Sequence, residues 1–288
     1  GAYRKKFALD DRCAPELACT FTGGGITCHF AGADAAAHPS ADTAATPDSA
    51  STPNAAETSG DASTQNAADA SLSPAANATA EQLRRAWQLA LCIMQTRNLV
   101  NRPANLLRPE ELAQRLAAMA EGLPVQAEVY DAAALQRLGL NGLLTVGASS
   151  QYPPALVVLR YTGAPERAER LGLVGKGVTV DSGGYNLKSS GSMAGIKGDM
   201  AGGAAVAAAV RAIAAAGIPV NVTAVVPCCE NRISTTSLLP GDLIGSLSGK
   251  TIEVFNADAE GRLILADGLT WAIRKEGCTR LVDAATLT

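Results

Sequence analysis

Histidine and aromatic residues are scarce in this chain, which has two histidines and 4% aromatic residues among its 288 positions. Neither His29 nor His38 lies near the acidic motifs of the sequence, so a histidine-based zinc site is disfavoured. The seven cysteines include no CxxC pair, and an odd number without paired spacing favours reduced thiols over a disulfide framework. Any metal site must therefore draw mainly on oxygen ligands.

The chain also lacks an excess of basic charge and a long uncharged apolar run. Its formal net charge is −3, which gives no electrostatic footprint for nucleic acid. Arg211 interrupts the alanine-rich stretch before it reaches the ~18 apolar residues of a membrane span, and the first residues do not resemble a signal peptide. We therefore expect a cytoplasmic protein with no nucleic-acid partner and no membrane contact.

The stretch 33–80 contains almost nothing that could form a core. Leu72 is its only large aliphatic residue, and it has no lysine or arginine. Such a composition cannot bury enough apolar area to offset the entropy of ordering the chain. We predict a disordered, low-complexity linker rich in Ala, Ser and Asp over 33–80, followed by a folded domain over 81–288.

The folded part alternates helix-like and strand-like segments. Apolar residues recur every three or four positions over 81–97, which predicts a helix, and Pro109 is placed to open a second helix that ends near Gly122. Further helices are predicted over 132–138, 203–216 and 263–274, and strands over 125–130, 142–146, 155–161, 220–226, 252–255 and 279–283. This alternation predicts an α/β fold with an open mixed sheet and helices on both faces.

Two glycine-rich stretches, 174–205 and 256–267, hold the charged residues of greatest chemical interest. They contain Lys176, Asp181, Lys188, Asp199, Asp258, Glu260 and Arg262. Four carboxylates gathered in one place raise one another's pKa values unless cations keep them ionised. Oxygen-rich ligand sets suit Mg, Mn or Zn, and two metal ions ~3.5–4 Å apart are a known arrangement for hydrolysis. We interpret the set as a metal site, although any one acid alone is more typical of a solvated surface.

The spacing restricts how the first stretch can form such a site. Side chains alternate faces in a regular strand. Lys176 and Asp181 can therefore converge only if the strand bends at Gly177 or ends before Asp181. The Ser-Gly-Gly that follows Asp181 is typical of a turn, so we expect Asp181 to lie where a strand leaves the sheet.

The second stretch places Asp258, Glu260 and Arg262 at alternate positions. If this segment is extended, all three side chains project from one side. In open α/β sheets, sites lie beyond the carboxyl ends of the strands. The loop 256–262 and Asp181 are both predicted to fall there.

The segments GKGVTVDSGG, KGDMAGGAA and NADAEGRLILAD, with Lys188 between the first two, closely resemble the paired signatures of the leucyl aminopeptidase (cytosol aminopeptidase) family of dinuclear metallopeptidases. CCENRIS just upstream of GDLI is most similar to the bacterial peptidase B branch. The resemblance implies a leucyl aminopeptidase-type catalytic domain that acts on peptides with a free amino terminus. GAYRKKF is similar to the segment that closes the family's amino-terminal domain, so residues 1–32 are interpreted as a remnant of that region.

The same resemblance implies that the chain is truncated at both ends and that the full-length protein is a homo-hexamer. It also implies two divalent metal ions, Mn or Zn, as cofactors. Lys176 and Asp199 would hold the tighter ion. Asp181 and Glu260 would bridge both ions, and Asp258 would bind only the more exchangeable ion.

Two further residues receive catalytic roles from the resemblance. Lys188 would stay charged and polarise the substrate carbonyl, and Arg262 would anchor a bicarbonate that acts as base. A metal-bridging water would then attack the amide next to the free α-amine. Lys176 can ligate a metal only as a neutral amine, so a cation must strongly depress its pKa.

Two other functional classes stay open from the sequence. One is an inactive fragment or a non-catalytic binding relative of the family. Some members of the family also bind DNA, and the acidic balance and the lack of a basic patch count against that role here. The other is a different two-metal hydrolase, such as a phosphoesterase, which usually shows histidine ligands near its carboxylates. The motifs favour the aminopeptidase.

Overall fold

The computed structural model describes residues 16–22, 25–31 and 74–287, with side chains from residue 78 onward. Strands β1 (Glu16–Thr22) and β2 (Gly25–Ala31) form an antiparallel hairpin within the region predicted as an amino-terminal remnant. Most of the predicted linker 33–80 lies outside the described residues. Residues from Arg85 onward form one compact unit, and the described residues up to Arg84 belong to another.

Helix α1 (Pro74–Asn101) is longer than the predicted helix 81–97. It starts within the stretch assigned to the linker, so the expectation of disorder is wrong for its last residues. The reason is local: alanine is the strongest helix former, and proline is tolerated in the first turn of a helix.

The rest of the chain alternates short helices and strands, as predicted. In chain order these elements are α2 (Pro109–Ala118), β3 (Val125–Tyr130), α3 (Ala132–Leu138), α4 (Asn141–Gly147), β4 (Ala155–Thr162), β5 (Leu171–Gly175), β6 (Gly177–Asp181), α5 (Ala201–Ala215), β7 (Asn221–Asn231), β8 (Leu243–Gly245), β9 (Thr251–Glu253), α6 (Glu260–Arg274) and β10 (Arg280–Ala284).

Six of these strands form one mixed sheet in the order β10-β5-β7-β4-β3, with β6 pairing along the far end of β7. Strands β10, β5, β6 and β7 run parallel, whereas β4 and β3 run antiparallel to their neighbours. β8 and β9 form a separate hairpin. The predicted open mixed sheet is confirmed.

Helices cover both faces of this sheet. Alternate residues of β4 point to opposite sides: Val157 and Leu159 pack with residues of α2 and α5, whereas Leu156 and Val158 pack with residues of α3, α4 and α6. This alternation divides the interior into two apolar clusters. The sheet is therefore buried on both faces, which fixes the positions of its strand ends.

Two predicted strands differ from the structure. Residues 142–146, predicted as a strand, lie in helix α4, since a short apolar run does not by itself separate a buried helix from a strand. The strand predicted over 220–226 continues as β7 to Asn231. This extension places the polar residues Glu230 and Asn231 at the carboxyl end of the strand.

The stretch Ser192–Ala215 is apolar and long enough to cross a membrane by length and composition alone, but half of it is buried inside the protein. Within it, α5 packs against β5, β7 and β10. Its alanine and valine composition therefore fits a helix of the protein core.

Candidate metal centre

Lys176 occupies the break between β5 and β6, where the predicted interruption of the strand occurs. Its backbone N–H donates to the Ala284 carbonyl (3.0 Å), and its carbonyl accepts from Gly203 N–H (2.8 Å). The side chain is buried, and Nζ lies 2.7 Å from both Asp199 Oδ2 and Glu260 Oε1. The break thus turns a buried cation toward two acids from distant parts of the chain.

Asp181 is the last residue of β6, as predicted. The turn after it contains Gly183 and Gly184 at positive φ of 87° and 59°, a conformation that glycine adopts without steric cost. This turn returns the chain so that Lys188 Nζ lies 2.8 Å from Asp181 Oδ2. Lys188 also pairs with Asp258.

The segment that carries Asp258, Glu260 and Arg262 is helical, so the condition for all three side chains to project from one side is not met. A 3-10 turn spans Ala257–Ala259, and α6 starts at Glu260. Acidic side chains in the first turn of a helix are favoured by its dipole, and Asn256 caps the turn by accepting from Asp258 N–H (2.8 Å).

Because of this helical conformation, the three side chains do not share one side. Asp258 and Glu260 reach the cluster through their contacts with Lys188 and Lys176. Arg262 is exposed and makes no hydrogen bond or ion pair with the described residues. Six of the seven predicted residues contact another member of the set, and among the described residues Arg262 makes no such contact.

The converged carboxylates are arranged as a cation would require. One oxygen from each of Asp181, Asp258 and Glu260 lies within 4.8 Å of the others. The fourth acid, Asp199, has a buried Oδ2 that accepts no well-directed hydrogen bond from a described residue, although Lys176 Nζ lies 2.7 Å away. Hard oxygen donors with a spare buried acceptor fit divalent cations such as Mg, Mn or Zn.

Burial and mutual repulsion act on the acids in the same direction. Burial, followed by the charge of Glu260, raises the pKa of Asp199 to about 7 against the opposing effect of Lys176. The pKa of Glu260 is also raised, first by burial and then by the charge of Asp181. Keeping these buried acids ionised costs free energy, and a bound cation would reduce that cost.

For the two lysines, burial and the neighbouring carboxylates act on the pKa in opposite directions. Burial alone would lower the pKa of Lys176, but the charges of Glu260 and Asp199 outweigh it and raise that pKa. The pKa of Lys188 is raised in the same way, because hydrogen bonds to Asp181 and Asp258 outweigh burial. The depressed pKa predicted for Lys176 would require the charge of a cation, since its carboxylate neighbours act against it.

Two asparagines near the centre were missed in the sequence. Asn231 donates from Nδ2 to Asp181 Oδ1 (2.9 Å) and Glu260 Oε2 (3.2 Å), and Asn186 Oδ1 accepts from Ala257 N–H (2.7 Å). The available signal was a polar residue at the end of an apolar strand, in CCEN. It was not used because the strand was predicted to end at 226.

The fold and the site together define an α/β protein with an oxygen-rich centre at the carboxyl ends of parallel strands, suited to divalent cations. The family model described as "Cytosol aminopeptidase family, catalytic domain" matches residues 94–288. The chain therefore belongs to the cytosol aminopeptidase family, as the resemblance of its motifs implied.

Individual relatives agree with this assignment. The probable cytosol aminopeptidase of Solibacter usitatus (strain Ellin6076) is 52% identical over 194 residues, which are 67% of this chain and 40% of that protein. The probable cytosol aminopeptidase of Clostridium perfringens (strain 13 / Type A) is 47% identical over 193 residues, with 67% and 39% coverage. The chain thus spans about two fifths of the length of these curated relatives.

Solved structures are similar over the same region. The leucine aminopeptidase of Caenorhabditis elegans superposes with a TM-score of 0.70 at 36% identity, covering 72% of this chain and 42% of that one. The bottromycin maturation enzyme BotP in complex with Mn gives 0.65 at 42% identity, covering 75% and 47%.

Proposed function

We propose that this chain carries the catalytic centre of a dinuclear metal-dependent aminopeptidase, which hydrolyses the amino-terminal bond of peptides with a free α-amine. The observation that carries the proposal is the approach of three carboxylate oxygens, from Asp181, Asp258 and Glu260, to within 4.8 Å of one another beside the cationic Lys188. Membership of the cytosol aminopeptidase family supports the reaction class.

Five residues would hold the metal ions: Lys176, Asp181, Asp199, Asp258 and Glu260. Two divalent cations, Mn or Zn, would supply an acidified water as nucleophile and docking points for the substrate amine and carbonyl. The relative BotP was solved with Mn, which supports Mn as one candidate. Asp181 and Glu260 share the Asn231 amide and contact different lysines, which supports them as the acids that both ions would share.

Lys188 would bind the substrate carbonyl oxygen and stabilise its developing negative charge. Its side chain is 22% exposed, against 3% for Lys176, so it is the lysine that a substrate can reach. Arg262 would hold a bicarbonate that accepts a proton. Its exposed guanidinium has no partner among the described residues and is available to an anion.

The relatives' names also bear on the whole protein. They are called probable cytosol aminopeptidases, which supports a cytoplasmic location and peptides as substrates. The homo-hexamer stays a prediction from the resemblance of the motifs. No nucleic acid is proposed as a partner, because the chain's net charge is −3.

A charge-removing substitution tests the proposed function. Glu260→Gln keeps the shape of the side chain but removes the charge of a metal ligand. The rate of hydrolysis of a leucine anilide should therefore fall by more than the ~10–100-fold that is typical when a residue hydrogen-bonded to a ligand is replaced. Glu253→Gln, at an exposed position of β9, is the matched control and should leave the rate unchanged.

The assay is run with added Mn²⁺, with added Zn²⁺ and with a chelator. Chelation should abolish hydrolysis by the unsubstituted chain and by Glu253→Gln alike. Unchanged turnover in Glu260→Gln would contradict the proposed centre. Folded, metal-loaded protein without any hydrolysis would instead favour the non-catalytic alternative.

A further inference from the structure

Asn231, the last residue of β7, is hydrogen-bonded to two of the carboxylates. Its Nδ2 donates to Asp181 Oδ1 (2.9 Å), Glu260 Oε2 (3.2 Å) and the Ala257 carbonyl (2.9 Å). A primary amide has two N–H donors, so the three acceptors occupy both, and one N–H is shared between two of them. We propose that Asn231 is a positioning residue of the metal centre, which fixes both carboxylates so that one oxygen of each is directed at the cations. This inference rests on the proposed function.

In each of the two carboxylates, one oxygen accepts from Asn231 and the other faces a lysine. Asp181 turns Oδ1 toward Asn231 and Oδ2 toward Lys188 Nζ, 2.8 Å away. Glu260 turns Oε2 toward Asn231 and Oε1 toward Lys176 Nζ, 2.7 Å away. A single amide therefore sets the rotation of both acids and links them across the centre.

The orientation of the Asn231 amide is fixed by its surroundings. If nitrogen and oxygen were exchanged, Oδ1 would face the oxygens of Asp181, Glu260 and Ala257, which offer no proton there. On its other side, Oδ1 lies so close to Gly184 that a Cβ at that position would be 3.0 Å away. The acceptors thus fix the orientation of the amide, and the absence of a side chain at Gly184 leaves room for it.

The backbone around Asn231 is held as firmly as its side chain. The Asn231 carbonyl accepts from both the N–H and the Oγ of Ser182, each at 2.9 Å. On either side, Ser149 Oγ donates to the Glu230 carbonyl (3.0 Å) and accepts from Arg232 N–H (2.9 Å). A ligand support with a fixed backbone loses little entropy when it orients the acids.

The opposite end of the same strand offers a matched control. Asn221, the first residue of β7, is also buried, and its Nδ2 donates to the carbonyls of Ala164 (2.7 Å), Arg167 (2.8 Å) and Glu169 (3.3 Å). None of these acceptors is a carboxylate. Substitution of Asn221 removes an equivalent structural network without touching the metal centre.

The experiment compares Asn231→Ala, Asn231→Leu and Asn221→Ala in the full 288-residue chain. Mn²⁺ alone is titrated by calorimetry, and leucine anilide kinetics are measured at saturating Mn²⁺, with rates normalised to the folded fraction. Asn231→Ala should raise the Mn²⁺ Kd by about 10- to 100-fold and lower kcat by a similar factor. The KM for the anilide should change little, because Asn231 does not touch substrate.

Asn231→Leu keeps the branched shape of the side chain, removes the N–H donors and adds no charge. If Asn231 only filled space, this variant would retain full kcat; if Asn231 positions the two acids, kcat should fall about 10- to 100-fold. Asn221→Ala should lower thermal stability yet leave Kd and kcat within about 2-fold, as expected of a distant independent site.

The outcomes separate the two hypotheses. Mn²⁺ binding and hydrolysis by the unsubstituted chain, with unchanged Kd and kcat in both Asn231 variants, would overturn the role of Asn231 and leave the proposed function standing. Equal losses in Asn221→Ala and Asn231→Ala would also overturn it, since they would show a general effect of destabilisation. An unsubstituted chain that binds no Mn²⁺ would overturn both.

Discussion

Lys176 and Lys188 each face a pair of carboxylates, yet they differ in what surrounds them. Lys176 is enclosed by backbone and also donates to the Thr286 carbonyl (2.8 Å), whereas Lys188 stands at the edge of the cluster with more of its side chain exposed. Enclosure suits a ligand, because it excludes water and substrate. Partial exposure suits a residue that binds a substrate oxygen.

This difference predicts distinct effects of substituting Lys188. Lys188→Met keeps the length of the side chain and removes its charge. We expect kcat to fall about 100- to 1000-fold, the usual loss when one donor to a developing oxyanion is removed. Mn²⁺ stoichiometry, measured by calorimetry, should be unchanged.

The matched control for that experiment is Lys250→Met, at an exposed position before β9, which should alter neither quantity. If Lys188→Met lost metal while Lys250→Met did not, Lys188 would be a ligand or a support for one. Its assignment to the substrate would then be wrong.

The residues of the centre could be predicted from the sequence better than their geometry. The motifs named Lys176, Asp181, Lys188, Asp199, Asp258 and Glu260, and the structure brings all six together. The extended conformation considered for 256–262 is not adopted, and alternation in sequence does not distinguish a strand from a helix start capped by Asn256. Asn231 was missed because its role depends on strand register, which pairs it with Asp181.

At the scale of elements, the centre depends on how closely α5 approaches the sheet. Gly202 packs against the backbone of β10, where an added Cβ would overlap the Ala284 carbonyl. Gly203 N–H donates to the Lys176 carbonyl (2.8 Å), and a Cβ at Gly203 would lie 3.0 Å from that carbonyl oxygen. The two glycines let the helix start next to the strand break that carries Lys176.

A Gly202→Ala substitution should therefore destabilise the fold. The added methyl group meets backbone that cannot move aside, so we expect the free energy of unfolding in urea to fall by about 1–3 kcal/mol, the usual cost of overpacking. Gly195→Ala, where no atom lies within 4 Å of the added Cβ, should change it by less than about 0.5 kcal/mol. Equal stability of the two variants would contradict this close approach.

The elements themselves were predicted unevenly for physical reasons. The sheet strands β3, β4 and β10 match the predicted ones to within their ends. The long apolar run of β4 is distinctive, whereas β3 and β10 also carry charged residues. The run 142–146 was assigned to a strand but forms α4, which packs against α6 and β7. Tertiary packing, which the sequence alone does not display, decided between the two conformations.

At the scale of the whole molecule, the fold gathers acids that are far apart in the chain. Asp181 ends β6, Asp199 precedes α5 and Glu260 begins α6. These three acids therefore come together only when the sheet and its helices are in place. The raised pKa values of Asp199 and Glu260 indicate that this gathering works against stability. Bound cations would offset that cost and couple metal affinity to folding.

The most direct test of this account is a crystal structure of the chain soaked with Zn²⁺, with anomalous scattering used to locate the ions. The account predicts peaks about 2.0–2.2 Å from oxygens of Asp181 and Glu260, with Lys188 no longer paired to Asp181 and Asn231 still bound to both acids. Peaks only at other sites, with both lysines still paired to the carboxylates, would contradict the proposed metal centre.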